Sequence, residues 1–495
     1  MNLTPTHLWQ YFDDLCRIPR GSGNEAGVRE YIRTFAKDRG WAFTEDEAGN
    51  CVVAVPGRGA GVSAPPIIIQ SHMDMVCVKD EAHADHDFTR DPIVTRVTTW
   101  EENGKTREVL MGTGTTLGAD NGIGLVSGLA AATDPELTDC PPLELLFTVD
   151  EETGLTGARK LDPALLRADL LLNLDSEELG DICVSCSGGR DLMADWTVRR
   201  EDTSPQDVAL ELFVHGLPGG HSGVQIHERR GNAIHSLIRN LLAIPGAAGE
   251  IRLVSLHGGS ARNVIPGSMT AVVRAPKAFA TEIERRFNDP ALLQSILADV
   301  DEDVPGTATC GADRIDDSGQ QPPISTGQTS AILNAIAAVP HGVQKWSEFV
   351  PNLVETSNNV AVLTTTSGTI HLQCATRSSQ VGAIEAFQEG VRSGLEASGA
   401  KVEFGDGYPG WPADPDNPLL GRARRIFESV QGYPPRVSAI HAGLECGVFK
   451  GKRPSLQMIS FGPDISGAHT TNERIAIDSV PPYYACLAGL LRELC

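Results

Sequence analysis

Two different rhythms of apolar and polar positions run along this chain. Near its start, Leu8, Phe12 and Leu15, and then Val28, Ile32 and Phe35, recur at helical spacing, with Gly40 placed to stop the second helix. Short β-branched runs follow at Cys51-Val-Val-Ala-Val and Pro66-Ile-Ile-Ile-Gln, and these read as buried strands. Asn103-Gly104 sits between two strand-like runs and predicts a hairpin turn. Leu143-Glu-Leu-Leu-Phe-Thr-Val and Leu170-Leu-Leu-Asn-Leu are further strands, with helical patterns between them from about Gly122 to Ala132 and from Thr153 to Arg159. Strand and helix alternate up to residue 188, which predicts an open α/β sheet.

The rhythm then changes. From Gly189 the strands lengthen and alternate, as in Ala209-Leu-Glu-Leu-Phe-Val and Met269-Thr-Ala-Val-Val-Arg. Helical stretches fall at Ala233–Leu242, Thr329–Ala338 and Val381–Ala397. This pattern fits an α+β domain with antiparallel strands. Tyr408-Pro-Gly-Trp-Pro-Ala-Asp-Pro is a rigid connector, followed by a helix from Pro418 to Val430, a strand at Ser455–Ser460 and a helix near Pro482–Leu494. The expected architecture is α/β. An open mixed-sheet domain, built from residues 1–188 and 406–495, is interrupted by an inserted α+β domain at 189–405.

Composition agrees with this division. A single core seldom grows past about 250–300 residues, and the chain has 495. With 41% apolar and 5% aromatic residues it is globular rather than disordered. The net charge of −23 disfavours nucleic acid, which needs a basic face, and an anionic membrane surface for the same reason. The N-terminus lacks the basic start and apolar core of a signal peptide, and no run approaches the ~18 apolar residues of a membrane span. The eleven cysteines are scattered and odd in number, as expected of reduced thiols in the cytoplasm. Cys183 and Cys186 form a lone C-x-x-C without a second ligand pair, and they read as ordinary buried cysteines.

Acids and histidines gather where predicted strands end, the position at which open α/β sheets carry ligand sites. His72 and Asp74 follow Ile67-Ile-Ile-Gln and share a strand face, so the carboxylate can fix the imidazole's tautomer. Asp120 lies on a glycine-crowded strand-to-helix turn, Thr116-Leu-Gly-Ala-Asp-Asn-Gly. A phosphate loop is the rival reading there, but the Lys-Ser/Thr of a P-loop and any G-x-G-x-x-G are missing. Asp150, Glu151 and Glu152 end an apolar strand, and three unpaired carboxylates there would be costly without a cation. Asp175 ends another strand, and His469 falls in the last α/β segment. Two histidines and three carboxylates, with one glutamate to spare, are the inventory for two divalent ions.

With these motifs in order, the chain resembles the aminoacyl-histidine (Xaa-His) dipeptidases, in the superfamily of co-catalytic metallopeptidases that includes the aminoacylases and succinyl-diaminopimelate desuccinylase. The likeness runs nearly end to end. It rests on Ser71-His-Met-Asp-Met-Val, Gly114-Thr-Thr-Leu-Gly-Ala-Asp-Asn-Gly-Ile-Gly, Thr148-Val-Asp-Glu-Glu-Thr-Gly and Gly219-Gly-His-Ser-Gly. Arg229-Arg-Gly-Asn-Ala, Ala261-Arg-Asn-Val-Ile-Pro, Arg377-Ser-Ser, Tyr408-Pro-Gly-Trp, His441-Ala-Gly-Leu-Glu-Cys-Gly and Ala468-His-Thr-Thr extend it. The resemblance implies a catalytic domain of zinc-exopeptidase type and an inserted lid that binds substrate and can pair two copies into a homodimer. It implies that Asp120 bridges two ions, that His72 and Asp175 complete one set and Glu152 and His469 the other, and that Asp74 positions His72. Glu151 would be the general base, and Asp120-Asn121 a cis peptide. From the lid, His221 would stabilise the oxyanion, Asn263 would bind substrate and Arg377 would grip a C-terminal carboxylate, while Gly443 would line the pocket.

The expected activity is metal-assisted hydrolysis of unblocked dipeptides, including Xaa-His. The two ions would be zinc, with cobalt or manganese also suited to these ligands. An N-acyl-amino-acid deacylase with the same metal site is the alternative enzyme. A non-catalytic metal- or peptide-binding protein is a different class, against which the intact Glu151 argues. His441, Glu445 and the charged hairpin at 101–108 have no role that the sequence supplies.

Overall fold

A computed structural model describes residues 3–102, 104–301, 307–316, 320–348 and 350–495. The chain divides into two compact units, one of residues 1–186, 411–439 and 444–495, the other of 187–410 and 440–443.

The first unit is built on a mixed eight-stranded sheet. Its order is Ala42–Glu45, Cys51–Val55, Leu143–Thr148, Ile67–His72, Leu170–Asn173, Gln457–Ser460, Asp181–Cys186, Arg436–Ile440. The four central strands, from Leu143–Thr148 to Gln457–Ser460, run parallel, while the strands at 51–55 and 181–186 join them antiparallel. The central runs are apolar on both faces because helices cover both, as parallel strands require. Register places His72 opposite Thr148 and Gln70 opposite Asn173, so three strands reach their carboxyl ends together. The helix Ala119–Thr133 is buried almost throughout. It shares a core with the helices Thr6–Cys16, Pro418–Gln431 and Val480–Glu493, in which Trp9, Phe12, Phe147, Phe427 and Phe461 are all but inaccessible.

A second, four-stranded sheet of the same unit joins Thr95–Glu102, Lys105–Gly112, Arg474–Ala476 and Ile465–Ser466. The hairpin strands pair antiparallel down to Glu102 opposite Lys105, and Asn103 lies outside the described residues. The charges of this hairpin gain one reason here. Arg107 donates to Asp464 at 2.7 Å and to Asp478 at 2.6 Å, tying the hairpin to the segment that carries His469.

The second unit is an antiparallel sheet with helices packed against it, the α+β pattern expected from its alternating strands. The order is Thr309–Arg314, Asp207–His215, Met269–Pro276, Arg252–Gly258, Val354–Thr365, Thr369–Ser378, Gly188–Thr197, Lys401–Phe404, with Gly342–Trp346 also on Val354–Thr365. Helices Ala233–Leu242, Lys277–Phe287, Thr326–Ala338 and Ala383–Ala397 share its core. Among the described residues no helix is long and apolar enough to cross a membrane, and the eleven cysteines, Cys183 and Cys186 included, form no disulfide.

Candidate metal centre and substrate residues

The parallel strands deliver their acids and histidine to one edge of the first sheet. His72 closes the strand Ile67–His72 and is 1% exposed. Its Nε2 lies 3.0 Å from Asp120 Oδ1 and 3.4 Å from Asp175 Oδ1. His469 Nε2 lies 3.1 Å from Asp120 Oδ2 and 3.0 Å from Glu152 Oε2. The two oxygens of Asp120 thus face different histidines. His72, Asp120 and Asp175 each offer a ligand atom within 4.8 Å of the others, and so do Asp120, Glu152 and His469. The five residues expected to hold metal are brought together as two groups with Asp120 in common.

Backbone shape supports this arrangement. The Asp120-Asn121 peptide is cis, and Asp120 and Asn121 depart from helical geometry before the regular helix runs on to Thr133. His469 (φ 64°) and Asp150 (φ 50°) adopt left-handed conformations rare outside glycine and typical of functional turns.

Asp74 is fully buried and is shared by several donors. Its Oδ1 sits 3.2 Å from His72 Nδ1 and accepts from the Glu151 amide at 3.1 Å. Its Oδ2 accepts from Ser22 Oγ at 2.8 Å and the Glu152 amide at 3.2 Å. Burial alone would raise this carboxyl, yet the bonds from His72, Glu151 and Ser22 hold it down at about 2. One carboxylate therefore fixes both the imidazole and the backbone that carries Glu151 and Glu152.

The charge balance asks for cations. Burial pushes Asp175 up to about 6 against the pull of His72, with Asp120 and Glu152 adding repulsion. Burial and the Asp120 and Asp175 charges raise Glu177 to about 8. Hydrogen bonds to Asp120 and Glu152 raise His469 to about 11, so the acids draw a positive partner from the histidine. Among the described residues Glu152 Oε1 is buried with no hydrogen-bond partner. A crowded, acceptor-rich set of this kind, withdrawn from water on one side and open at His469, fits divalent ions, which neutralise it and occupy the free lone pairs. Glu151 also faces His72 and Glu152. Burial, opposed by His72 and reinforced by Asp175, Glu445 and Glu152, moves its carboxyl well above the ordinary range.

Three residues with no role in the sequence reading hold this site from behind. Glu473, 2% exposed, accepts from the amides of Leu117, Gly118, Ala119 and Asp120 at 2.8, 2.9, 2.7 and 3.3 Å, fixing the turn that presents Asp120. Arg20, also buried, donates to the carbonyls of Met73 and Asp74 at 3.1 and 2.9 Å and to that of Gly118. Glu445 accepts from Thr148 Oγ1 at 2.9 Å and from Gln70 Nε2, and Gln70 in turn accepts from Asn173 Nδ2 at 2.6 Å. This polar layer spans the three parallel strands directly beneath their ligands. The motif around His441 had already singled out Glu445, but without its partners.

The four expected substrate residues lie in the second unit. His221, on the short strand Gly220–His221 paired with Val264–Ile265, accepts at Nδ1 from the amides of Gly223 and Val224, both at 3.2 Å. That leaves its proton on Nε2, and burial with the Arg377 charge keeps the ring neutral by lowering its pKa. Asn263 gives its carbonyl to the Ser222 amide at 2.8 Å. Arg377 donates from Nη1 to Tyr408 Oη at 3.0 Å. Gly443 lies against the Tyr408 ring. His441 is buried with Nε2 2.7 Å from Ser357 Oγ, and burial with the Arg377 charge lowers it to about 3, a neutral structural imidazole.

Residues 68–493 match the profile of Peptidase family M20/M25/M40. The chain belongs to this peptidase family. It is 34% identical over 497 residues to the cytosol non-specific dipeptidase of Escherichia coli (strain K12), an alignment covering 99% of this chain and 98% of that protein. The crystal structure of aminoacylhistidine dipeptidase from Vibrio alginolyticus is similar at a TM-score of 0.89 and 35% identity, covering 99% of this chain and 97% of the other. Aminopeptidase PepT from Bacillus cereus ATCC 10987, at 16% identity and a TM-score of 0.54 over 99% of both chains, shares the M20 fold.

Proposed function

We infer that the chain is a metal-dependent dipeptidase, a hydrolase that cleaves the peptide bond of unblocked dipeptides, Xaa-His among them. The observation that carries this reading is the shared Asp120, whose two oxygens face His72 and His469. That the two most similar proteins described above are named dipeptidases supports the substrate class. His72, Asp120 and Asp175 would hold one ion and Asp120, Glu152 and His469 the other, zinc foremost, with cobalt or manganese as alternatives. Such ions supply Lewis acidity to a peptide carbonyl and lower the pKa of a bound water toward about 7.

The protein's own groups do the rest. A Glu151 Oε accepts a proton from the attacking water and passes it to the leaving amine nitrogen. The water oxygen bonds to the peptide carbon as the carbonyl π-bond electrons move to oxygen, and the carbon–nitrogen bond then breaks as the amine nitrogen takes the proton. His221 donates its Nε2 proton to the carbonyl oxygen as charge develops there. Asn263 contacts the substrate, Arg377 receives the C-terminal carboxylate and Gly443 leaves room for the chain. Asp74 keeps His72 in the tautomer whose Nε2 is free. The E. coli relative is named for the cytosol, and the same cytoplasmic setting is proposed here, together with a homodimer formed through the second unit.

Glu151→Gln tests the assignment. Removing a general base costs about 100- to 10,000-fold in rate, whereas the five metal residues stay intact. Activity on alanyl-histidine should fall by at least 100-fold with metal content near that of the parent. A variant that keeps a tenth of the activity would refute the role of Glu151. Faster turnover of N-acetyl amino acids than of free dipeptides would overturn the substrate class.

A further inference from the structure

We propose that Tyr408 is the second arm of the carboxylate-binding group that Arg377 begins, and that its hydroxyl proton is donated to the C-terminal carboxylate of the dipeptide. This rests on the role given above to Arg377.

The phenol is held with unusual care for a residue in a connector. Tyr408 and Gly189 exchange backbone hydrogen bonds, Tyr408 N to Gly189 O at 2.9 Å and Gly189 N to Tyr408 O at 3.1 Å. Gly189 is also the sheet partner of Arg377, so the tyrosine and the arginine flank Gly189 on its two sides, and the missing side chain there lets Tyr408 Oη meet the guanidinium. Two glycines make room for the ring. A Cβ on Gly189 would lie 2.8 Å from Tyr408 Oη, and one on Gly443 would lie 2.8 Å from its Cε2. Any larger residue at either position would displace the phenol. Gly443, singled out from the sequence as lining the substrate pocket, here shapes the seat of Tyr408.

The chemistry follows from which atom donates. Arg377 Nη1 donates to Tyr408 Oη at 3.0 Å. A guanidinium has donors only, so the phenol oxygen must be the acceptor and its own proton remains to be given elsewhere. Accepting from a cation polarises the hydroxyl and strengthens it as a donor. Among the described residues Arg377 Nε is buried without a hydrogen-bond partner, and the side chain that Arg377 donates to, Tyr408, offers a neutral oxygen. Its charge is therefore left for a ligand. An O–H and a guanidinium presented together suit one carboxylate, and the pair gives a reason for the Tyr-Pro-Gly-Trp segment that the activity alone does not.

Tyr408→Phe removes the hydroxyl and leaves the ring in its seat. Alanyl-histidine and its C-terminal amide are compared on the metal-loaded wild type and variant. A bond to a charged group is worth about ten- to a hundredfold in binding. The variant should lose about that factor in kcat/KM on the free dipeptide, through KM, with kcat held within about twofold. Turnover of the amide, which lacks the carboxylate and is expected to be slow in the wild type, should not change. Equal losses on acid and amide would mean that the hydroxyl only supports the fold, and no loss on the acid would mean that it contacts nothing. Either result overturns the proposal while the dipeptidase reading stands. A wild type inactive on every free dipeptide overturns both. Arg377→Lys combined with Tyr408→Phe should cost less than the product of the two single losses, and full multiplicativity would also refute a shared carboxylate.

Discussion

Replacing Asp74 by asparagine changes one atom at the point where the site is most constrained. Each carboxylate oxygen serves two neighbours, Oδ1 the Glu151 amide and His72 Nδ1, Oδ2 the Glu152 amide and Ser22 Oγ. An amide nitrogen can accept from none of them. Turned toward Oδ1's position, it faces the Glu151 N–H and pushes the His72 proton onto Nε2, the nitrogen needed for metal. Turned toward Oδ2's position, it leaves the Glu152 N–H without an acceptor while Ser22 rotates to accept, so this second orientation costs less. One buried, unsatisfied amide is worth about 1–3 kcal/mol. The loss of the charge that orients His72 adds a penalty of about 10- to 100-fold in metal affinity or activity. Metal titration of the apoprotein, urea unfolding and dipeptide hydrolysis read the three quantities on one preparation. The expected variant folds, is destabilised by about 1–3 kcal/mol, and binds metal at least tenfold more weakly. Wild-type metal affinity and activity in Asp74→Asn would show that the carboxylate does not set the imidazole. Ser22→Ala is the control, since it removes one donor and leaves the histidine contact intact.

Glu473→Gln should mimic loss of a metal ligand without replacing one. Its amide nitrogen would face either the Leu117 and Gly118 or the Ala119 and Asp120 N–H groups, so metal content should fall while the second unit's stability is kept, and an unchanged metal content would refute its role in presenting Asp120. Acid sensitivity should trace in part to His235 and His341, whose rings meet edge to face at 5.6 Å. Burial, then the charges of His341 and Arg239, lowers His235 to about 3, and burial with Arg239 lowers His341 to about 4. Both folded values lie below the ordinary value of 6.5. Their stabilising contribution is therefore whole above about pH 6.5 and is lost as pH falls toward 4, by about 1.4 kcal/mol per unit for each ring. His235→Gln should flatten the fall in unfolding midpoint between pH 6.5 and 4, and an equally steep fall would remove the pair as its cause.

Much of the candidate metal site was legible because its residues follow runs of buried strand. Ile67–Ile69, Leu145–Phe147 and Leu171–Leu172 are buried apolar runs on neighbouring parallel strands, so the His72, Glu152 and Asp175 that follow them fall at one sheet edge. Boundaries were less legible where the backbone turns left-handed. The helix expected from Thr153 begins at Thr156, because Asp150 and Leu155 take positive φ and the Thr156 amide bonds to the Asp150 carbonyl. The helix expected from Val381 begins at Ala383, after Gly382 at φ 76°. The strand expected from Ser455 begins at Gln457, since Leu456 still closes a turn onto Arg453. The supporting residues left no signal of their own. Glu473 and the amides it holds are more than 350 positions apart, Glu445 and Gln70 are 375 apart, and Arg20 reaches carbonyls 53 to 98 positions away. A buried polar side chain declares its purpose only through partners that folding brings to it.

The link between Glu473 and the Asp120 turn also orders events in the life of the molecule. His469 and the carboxylate that holds Asp120 in place leave the ribosome after every other ligand. Until they arrive, Asp120 lacks both its second histidine and the acceptor that shapes its loop. On the proposed ligand assignment a nascent chain therefore carries most of the metal centre before it can be completed, and the last pieces come into register only when Arg474–Ala476 pairs with Lys105–Gly112.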